Sequence, residues 1–178
     1  ITGIPPQMTM PEERHTIVVL VDNEPGVLAR VIGLFSGRGY NIESLTVAEV
    51  DKERGLSRIN IVTTGTRLVI EQIQNLLARL VPVHKVQDLT VEGPHVEREL
   101  ALVKITGNRE RLVQALRIAD FMHARLVDST PGTFVFECTG TSDEVDAFIS
   151  LVEPAEVSRA GVVAIARGQS MLQSDRSE

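Results

Sequence analysis

The chain contains 178 residues, of which 43% are hydrophobic and 24% charged, enough apolar material for one medium-sized core or two small ones. The net charge of −6 and the aromatic content of 3% argue against a surface that binds nucleic acid. The single cysteine, Cys138, excludes an intramolecular disulfide and a cysteine-based zinc site. No window is apolar enough to span a membrane, and residues 1–10 lack the pattern of a secretion signal. We therefore expect a folded, soluble, cytoplasmic protein.

The first part of the chain alternates between strand and helix patterns. Thr16–Val21 is almost continuously β-branched and apolar, which predicts a central strand. After Pro25 the apolar residues recur at i, i+3, i+4 and i+7 and predict a helix with one buried stripe, formed by Leu28, Val31, Ile32 and Phe35. The glycine-rich residues 37–39 end this helix, and residues 40–50 form a second strand. The residues expected on the inner face of that strand are Leu45 and Val47.

A hairpin and a second helix follow. The polar residues 51–55 predict a turn before a third strand at 58–63, which gives an antiparallel pair. Between Arg67 and Pro82 apolar residues again recur at helical spacing. The residues of this stripe are Val69, Ile73, Leu76, Leu77 and Leu80. Val83–Val91 predicts a weaker last strand, so the order is β-α-β-β-α-β.

The second part repeats this order after a Gly-Pro connection at residues 92–95. Its strands are predicted at 100–105, 124–128, 133–139 and 157–165. The first of its helices has a stripe of Leu112, Leu116 and Ala119. Thr141 and Glu144 have the spacing of a capping box at the start of the last helix. The stripe of that helix consists of Val145, Phe148, Ile149 and Val152.

We therefore predict an α+β protein with two ferredoxin-like βαββαβ domains, at residues 14–91 and 97–168, followed by a mobile tail at 169–178. Each domain has a four-stranded antiparallel sheet with two helices on one face. In an isolated domain, no helix would cover the other face of the sheet. This predicts pairing between domains or between chains.

No set of residues predicts a catalytic or a metal centre. The four histidines have no partner at metal-site spacing, and we expect them to have surface or packing roles. Cys138 lies in a β-rich segment without a nearby histidine, which favours a buried thiol over a nucleophile. A small enzyme on such a scaffold stays open as an alternative, because catalytic groups can come together from distant segments.

One connection does have features of a ligand site. It runs from Asn23 to Leu28, between the first strand and a helix whose first amide hydrogens lack intrahelical partners and can attract a carboxylate. Gly26 lets a ligand approach the backbone closely, and the side-chain oxygen of Asn23 can accept a hydrogen bond from an ammonium group. Together these groups suit a free amino acid. The alternative is an ordinary helix start with Pro25 in its first turn.

Asn41 lies just beyond the other end of the same helix. A helix of about 12 residues spans nearly 18 Å, so one chain cannot easily bring both ends to one small ligand. A symmetric partner could bring them together. The alternative for Asn41 is a helix-exit or turn residue.

The segment DNEPGVLARVIGLFSGRGYNIESL, residues 22–45, closely resembles the ACT domain of the regulatory small subunit of acetohydroxyacid synthase, also called acetolactate synthase. HVERELALVKI and SRAGVVAIARG, at 95–105 and 158–168, resemble the second domain of that subunit. The stretch GLFSGRGYNIESLTVA is specific to this family, whereas PGVL occurs in ACT domains generally.

The resemblance implies a non-catalytic subunit that binds and activates a catalytic large subunit and confers feedback inhibition by valine in branched-chain amino-acid biosynthesis. It also implies a homodimer, in which two ACT domains pair side by side into an eight-stranded sheet with valine at the interface. Thiamine diphosphate, Mg²⁺ and FAD then belong to the catalytic subunit, and this chain has no cofactor of its own. A free-standing amino-acid sensor that acts on another partner is the alternative.

The same resemblance suggests which residues bind the effector. They are Asn23 and Gly26 in the loop, Val27 and Leu28 at the helix start, Asn41 from the neighbouring chain, and Ile42, which adjoins Asn41. Ile42 is the candidate for the apolar wall around the valine side chain, and it could equally belong to the core. The preference among valine, leucine and isoleucine stays open, since one methylene is worth roughly 1–3 kcal/mol.

Overall fold

The computed structural model describes residues 10–173 of the chain. These form two compact units, the first ending at Pro94 and the second consisting of His95–Arg167. Described residues from Gly168 onward group with the first unit, and 169–173 form neither helix nor strand. The expectation about a secretion signal rests mainly on residues 1–9, and that about the tail partly on 174–178, all of which lie outside the described residues. Within residues 10–173, no helix combines the length and apolar character needed to cross a membrane.

The first unit contains one four-stranded antiparallel sheet. Its elements are β1 (Glu13–Asp22), α1 (Val27–Ser36), β2 (Asn41–Asp51), β3 (Leu56–Gly65), α2 (Arg67–Ala78), β4 (Val83–Asp88) and α3 (Leu89–Glu92). The strand order is β2-β3-β1-β4, so β2 and β4 are the edges. β1 pairs with β3 along its whole length, from Glu13 opposite Gly65 to Asp22 opposite Leu56. The β1–α1 loop therefore lies at the end of the sheet opposite to the start of β1.

The second unit repeats the arrangement. Its elements are β5 (His95–Thr106), α4 (Arg109–Phe121), β6 (Arg125–Thr130), β7 (Thr133–Gly140), α5 (Ser142–Val152) and β8 (Glu156–Ala166). The strand order is β6-β7-β5-β8, and every neighbouring pair is antiparallel. The predicted α+β fold of two ferredoxin-like βαββαβ units is thereby confirmed.

Each unit has its own apolar core between the sheet and its helices. In the first unit the odd-numbered residues of β1 pack against α1 and α2, and the buried set includes Ile17, Val19, Val21, Val31, Phe35, Ile61, Ile73 and Leu77. In the second unit β5 and β7 pack against α4 and α5, and the set includes Val103, Ile105, Ala115, Phe136, Val145 and Phe148. Phe136 and Phe148 meet edge to face with their ring centroids 6.1 Å apart.

Two predicted helical stripes are correct in part: Val31 and Phe35 of α1 and Leu112 and Ala119 of α4 are buried as predicted, and the other positions were wrong. In α1 the buried residues are Val27, Val31, Leu34 and Phe35, whereas Leu28 and Ile32 are each 38% exposed. In α4 Ala115 is buried and Leu116 is partly exposed. In both helices the predicted and the observed stripes each satisfy helical spacing, so periodicity alone could not choose between them.

Two details of the predicted strands were wrong. Val47 is 42% exposed, because β2 is an edge strand and only Ile42 and Leu45 on it pack against the core. The last strand of the first unit ends at Asp88 and does not reach Val91. The carboxylate of Asp88 accepts hydrogen bonds from the backbone amides of Thr90, at 3.0 Å, and Val91, at 3.4 Å, and so starts the short helix α3.

Candidate functional site

The loop between β1 and α1 is held on both sides by main-chain hydrogen bonds. The amide of Asp22 donates to the carbonyl of Pro82 at 2.9 Å, next to the start of β4. The amide of Asn23 donates to the carbonyl of Gly55 at 2.7 Å, in the turn between β2 and β3. His84 on β4 adds a contact from Nε2 to Oδ1 of Asp22 at 2.5 Å. The loop therefore has a fixed position at the end of the sheet.

The start of α1 is open to a ligand. Its N-cap residue, Gly26, has a left-handed backbone with φ of 84°, and no side chain caps the helix. By contrast, α2, α4 and α5 are capped by the side chains of Thr66, Asn108 and Thr141. A Cβ added at Gly26 would have no atom within 4 Å. The amide of Val27 donates to the carbonyl of Glu24 at 3.4 Å, so the amide hydrogens of Leu28 and Ala29 are the ones that can reach a carboxylate at this helix start.

The Asn23 side chain lies beside this helix start and is exposed. Its Nδ2 donates a hydrogen bond to Oε2 of Glu49 on β2. No spacing in the sequence indicates this contact, because the two residues are 26 positions apart and meet through the pairing of β3 with both β1 and β2.

The other candidate residues have different surroundings. Val27 is buried in the first core, so it can offer a ligand only its main chain. Leu28 is partly exposed at the helix start. Asn41 is exposed, and its carbonyl accepts a hydrogen bond from the hydroxyl of Thr63. Ile42 is half-buried and packs against the first core.

Asn23 and Asn41 lie at opposite ends of one sheet. Asn41 pairs with Thr64 of β3, and Thr64 pairs with Arg14 near the start of β1. Asn23 directly follows Asp22 at the other end of β1. The eight steps from Arg14 to Asp22 correspond to about 26 Å of extended strand. One chain therefore does not bring the two asparagines to the same small ligand.

The histidines do not form a catalytic arrangement with Cys138. His15, for which we predicted a surface or packing role, is buried in the first unit between Glu13 and Asp88. Cys138 is buried in the second unit, and burial raises the pKa of its thiol, which favours the unreactive protonated form. Within residues 10–173 there is no group of three or more His, Cys, Asp or Glu side chains that could hold a metal ion.

Both units match known families. Residues 17–85 match the AHAS small subunit-like ACT domain, and residues 98–168 match the family described as the small subunit of acetolactate synthase. The chain is 44% identical over 163 residues to the acetolactate synthase isozyme 3 small subunit of Salmonella typhimurium, a match that covers 89% of this chain and 99% of that protein. It is 43% identical over 166 residues to the acetolactate synthase small subunit of Aquifex aeolicus, covering 91% of this chain and 85% of that protein.

The chain is also similar to a solved structure over most of its length. The crystal structure of the acetolactate synthase small subunit from Thermotoga maritima superposes with a TM-score of 0.80 at 34% identity, covering 89% of this chain and 99% of that one. The fold and the loop thus define the class of protein, an ACT-like domain followed by a second ferredoxin-like domain. The chain belongs to the family of acetolactate synthase small subunits. It is therefore a non-catalytic subunit with a regulatory role, not a small enzyme in its own right.

Proposed function

We propose that this chain binds and activates the catalytic large subunit of acetolactate synthase and confers feedback inhibition by valine in branched-chain amino-acid biosynthesis. The observation that carries the proposal is the uncapped start of α1 at Gly26, beside the exposed carboxamide of Asn23. These two features match the carboxylate and the ammonium group that every free amino acid presents. Thiamine diphosphate, Mg²⁺ and FAD belong to the catalytic subunit in this proposal, and no residue of this chain is assigned to them.

The site is completed by a second copy of the chain. β2 pairs with β3 on one side and is an edge of its sheet on the other. Two β2 strands that pair antiparallel about an axis near Thr46 put Asn41 of one copy opposite Asp51 of the other. Asp51 lies two residues from Glu49, which contacts Asn23. A homodimer with one eight-stranded sheet would thus overcome the separation of about 26 Å within one chain.

In this dimer each candidate residue has a defined part. The first-turn amides of α1, reached past Gly26 and flanked by Leu28, bind the effector carboxylate, with Val27 contributing only its main chain. Asn23 Oδ1 accepts a hydrogen bond from the ammonium group. From the second copy, Asn41 supplies a further polar contact and Ile42 the apolar wall. The packing of Ile42 against its own core supports this role, because it limits the movement of the side chain.

The test is a calorimetric titration of the chain with valine, with the mass measured in the same buffer. We expect saturable binding by a dimer, and binding about tenfold weaker in Asn23→Ala, since a hydrogen bond to a charged group is worth roughly 1.5–3 kcal/mol. Asn75→Ala, an exposed position on α2, is the matched control and should bind like the wild type. If neither heat nor a thermal shift accompanies valine addition, the chain is not a valine sensor by itself.

A pull-down tests the partner. We expect the catalytic large subunit of acetolactate synthase to be retained by the wild-type chain and to gain activity when the chain is added. Valine binding without any retention of the catalytic subunit would instead indicate a free-standing sensor with a different partner.

A further inference from the structure

The contact between Asn23 and Glu49 fixes the orientation of the Asn23 carboxamide. An ionised carboxylate only accepts hydrogen bonds, so the atom of Asn23 that faces Glu49 is the nitrogen. The oxygen Oδ1 is then on the opposite branch of the carboxamide. Without Glu49 the amide group could turn over and present its nitrogen to the ligand in place of the oxygen. An ammonium group needs an acceptor, so only one of these two orientations can bind it.

The same residue also adds a negative charge next to the loop. Glu49 is exposed on β2, and no cationic side chain among residues 10–173 forms an ion pair with it. Among residues 10–173, no ion pair therefore neutralises its charge. A carboxylate on the other side of the Asn23 carboxamide from the ligand ammonium group still favours that group through its charge and disfavours a neutral substituent in its place.

The main chain holds both partners in place. The amide of Asn23 is bonded to the carbonyl of Gly55, and Glu49 is paired with Ser57 in the same β2–β3 hairpin. The main chains of the loop and the hairpin are therefore joined by hydrogen bonds next to the contact.

We propose that Glu49 is a positioning residue of the amino-acid site: it turns the Asn23 carboxamide so that Oδ1 meets the ligand ammonium group, and its charge makes the site select amino acids over the matching 2-hydroxy acids. This inference rests on the proposed function. It adds a residue to the site and a reason for selectivity toward the ammonium group.

The experiment compares two ligands on four forms of the full-length chain. Calorimetry measures the affinities of valine and of 2-hydroxy-3-methylbutanoate, which has a hydroxyl in place of the ammonium group, for the wild type, Glu49→Ala, Glu49→Gln and Glu53→Ala. Glu53 is an exposed residue of the β2–β3 turn and controls for the change in net charge. Thermal unfolding checks that each variant is folded.

We expect Glu49→Ala to weaken valine about tenfold and Glu49→Gln about threefold, because Gln keeps an acceptor but loses the charge. The hydroxy acid should change less than about twofold in both variants, and Glu53→Ala should leave both ligands unaffected. The difference between the two ligands is the signature, since a merely structural role would weaken both equally.

Two results would overturn the role of Glu49. The first is valine binding that is unchanged in Glu49→Ala, and the second is an equal loss for valine and the hydroxy acid. In either case the wild-type chain still binds valine, so the proposed function stands. Absence of valine binding by the wild-type dimer would instead contradict the proposed function together with this inference.

Discussion

His15 lies buried between two carboxylates at the start of β1. Its Nδ1 donates to Oδ2 of Asp88 at 2.6 Å and its Nε2 to Oε2 of Glu13 at 2.8 Å, with only 3% of the residue exposed. Two ionised acceptors on one ring require both nitrogens to carry a proton. Burial lowers the pKa of His15, but the hydrogen bonds to Glu13 and Asp88 outweigh it, so the pKa lies above its ordinary value.

Replacing His15 by Gln should lower stability most on the acidic side of neutrality. Because the pKa is higher in the folded than in the unfolded chain, the bound proton contributes fully below the unfolded pKa of 6.5, and its contribution is lost as the pH rises through the folded pKa. We expect a loss of about 2 kcal/mol at about pH 6 and a smaller one at about pH 9. Urea unfolding across this pH range measures the free energy of unfolding.

The control for this experiment is His123→Asn. His123 is exposed with φ of 61°, a conformation that Asn tolerates, so its replacement should leave the pH dependence unchanged. If His15→Gln and the wild type had the same pH dependence, His15 would not hold the additional proton.

At the start of α1, Gly26 has a left-handed backbone and lies at the opening of the proposed effector site. Gly26→Ala should lower the free energy of unfolding by about 1 kcal/mol, because an L-residue is strained at φ of 84°. The added methyl group also enters the opening through which a carboxylate reaches the α1 amides. We therefore expect valine affinity to fall about tenfold, measured by calorimetry.

Gly168→Ala separates the two effects. Gly168 has φ of 74° and, like Gly26, no atom within 4 Å of an added Cβ, but it follows the end of β8 at Ala166 and is not part of the β1–α1 loop. It should show a comparable loss of stability with unchanged valine affinity. Equal affinity losses in both variants would mean that strain, not access, limits binding.

The features of the fold that were predicted correctly depend on residues that are close together in the sequence. The Pro131-Gly132 turn, the Thr141 cap and the Gly37–Gly39 helix end each depend on residues within a few positions of one another. The side of α1 that faces the core was not predictable, because it depends on how the helix rolls on the sheet. α3 was missed because its start needs the carboxylate of Asp88, a residue that also fits the end of a strand.

The candidate site also combines features that lie within one loop with contacts between residues far apart in the chain. Asn23 and Gly26 are part of one short loop, and their chemistry can be read from adjacent residues. The contact of Asn23 with Glu49 and the pair of His15 with Asp88 join residues 26 and 73 positions apart. Such contacts follow from strand register, which no spacing in the sequence specifies.

The proposed dimer depends on the exposed side of β2. Val47→Lys should weaken dimerisation about tenfold, because it places two like charges close to the two-fold axis in place of apolar contacts. Valine affinity should fall with it, since Asn41 would no longer arrive from the second copy. Leu68→Lys, an exposed apolar position on α2, is the control and should leave both unchanged. Sedimentation equilibrium measures the dimer, and a fully dimeric Val47→Lys chain would mean that another surface pairs.

The proposed regulation requires that valine and the catalytic subunit change each other's binding by the same factor. If valine inhibits by favouring an arrangement of the ACT dimer that binds the catalytic subunit less tightly, it weakens assembly by some factor, and assembly must weaken valine binding by that same factor. Coupling of this kind is typically 5- to 150-fold, or roughly 1–3 kcal/mol. Titrating valine into the free chain and into the complex gives one factor, and titrating the catalytic subunit with and without valine gives the other. Equal valine affinities for the free and assembled chain, under conditions where valine still shifts assembly, would contradict this mechanism.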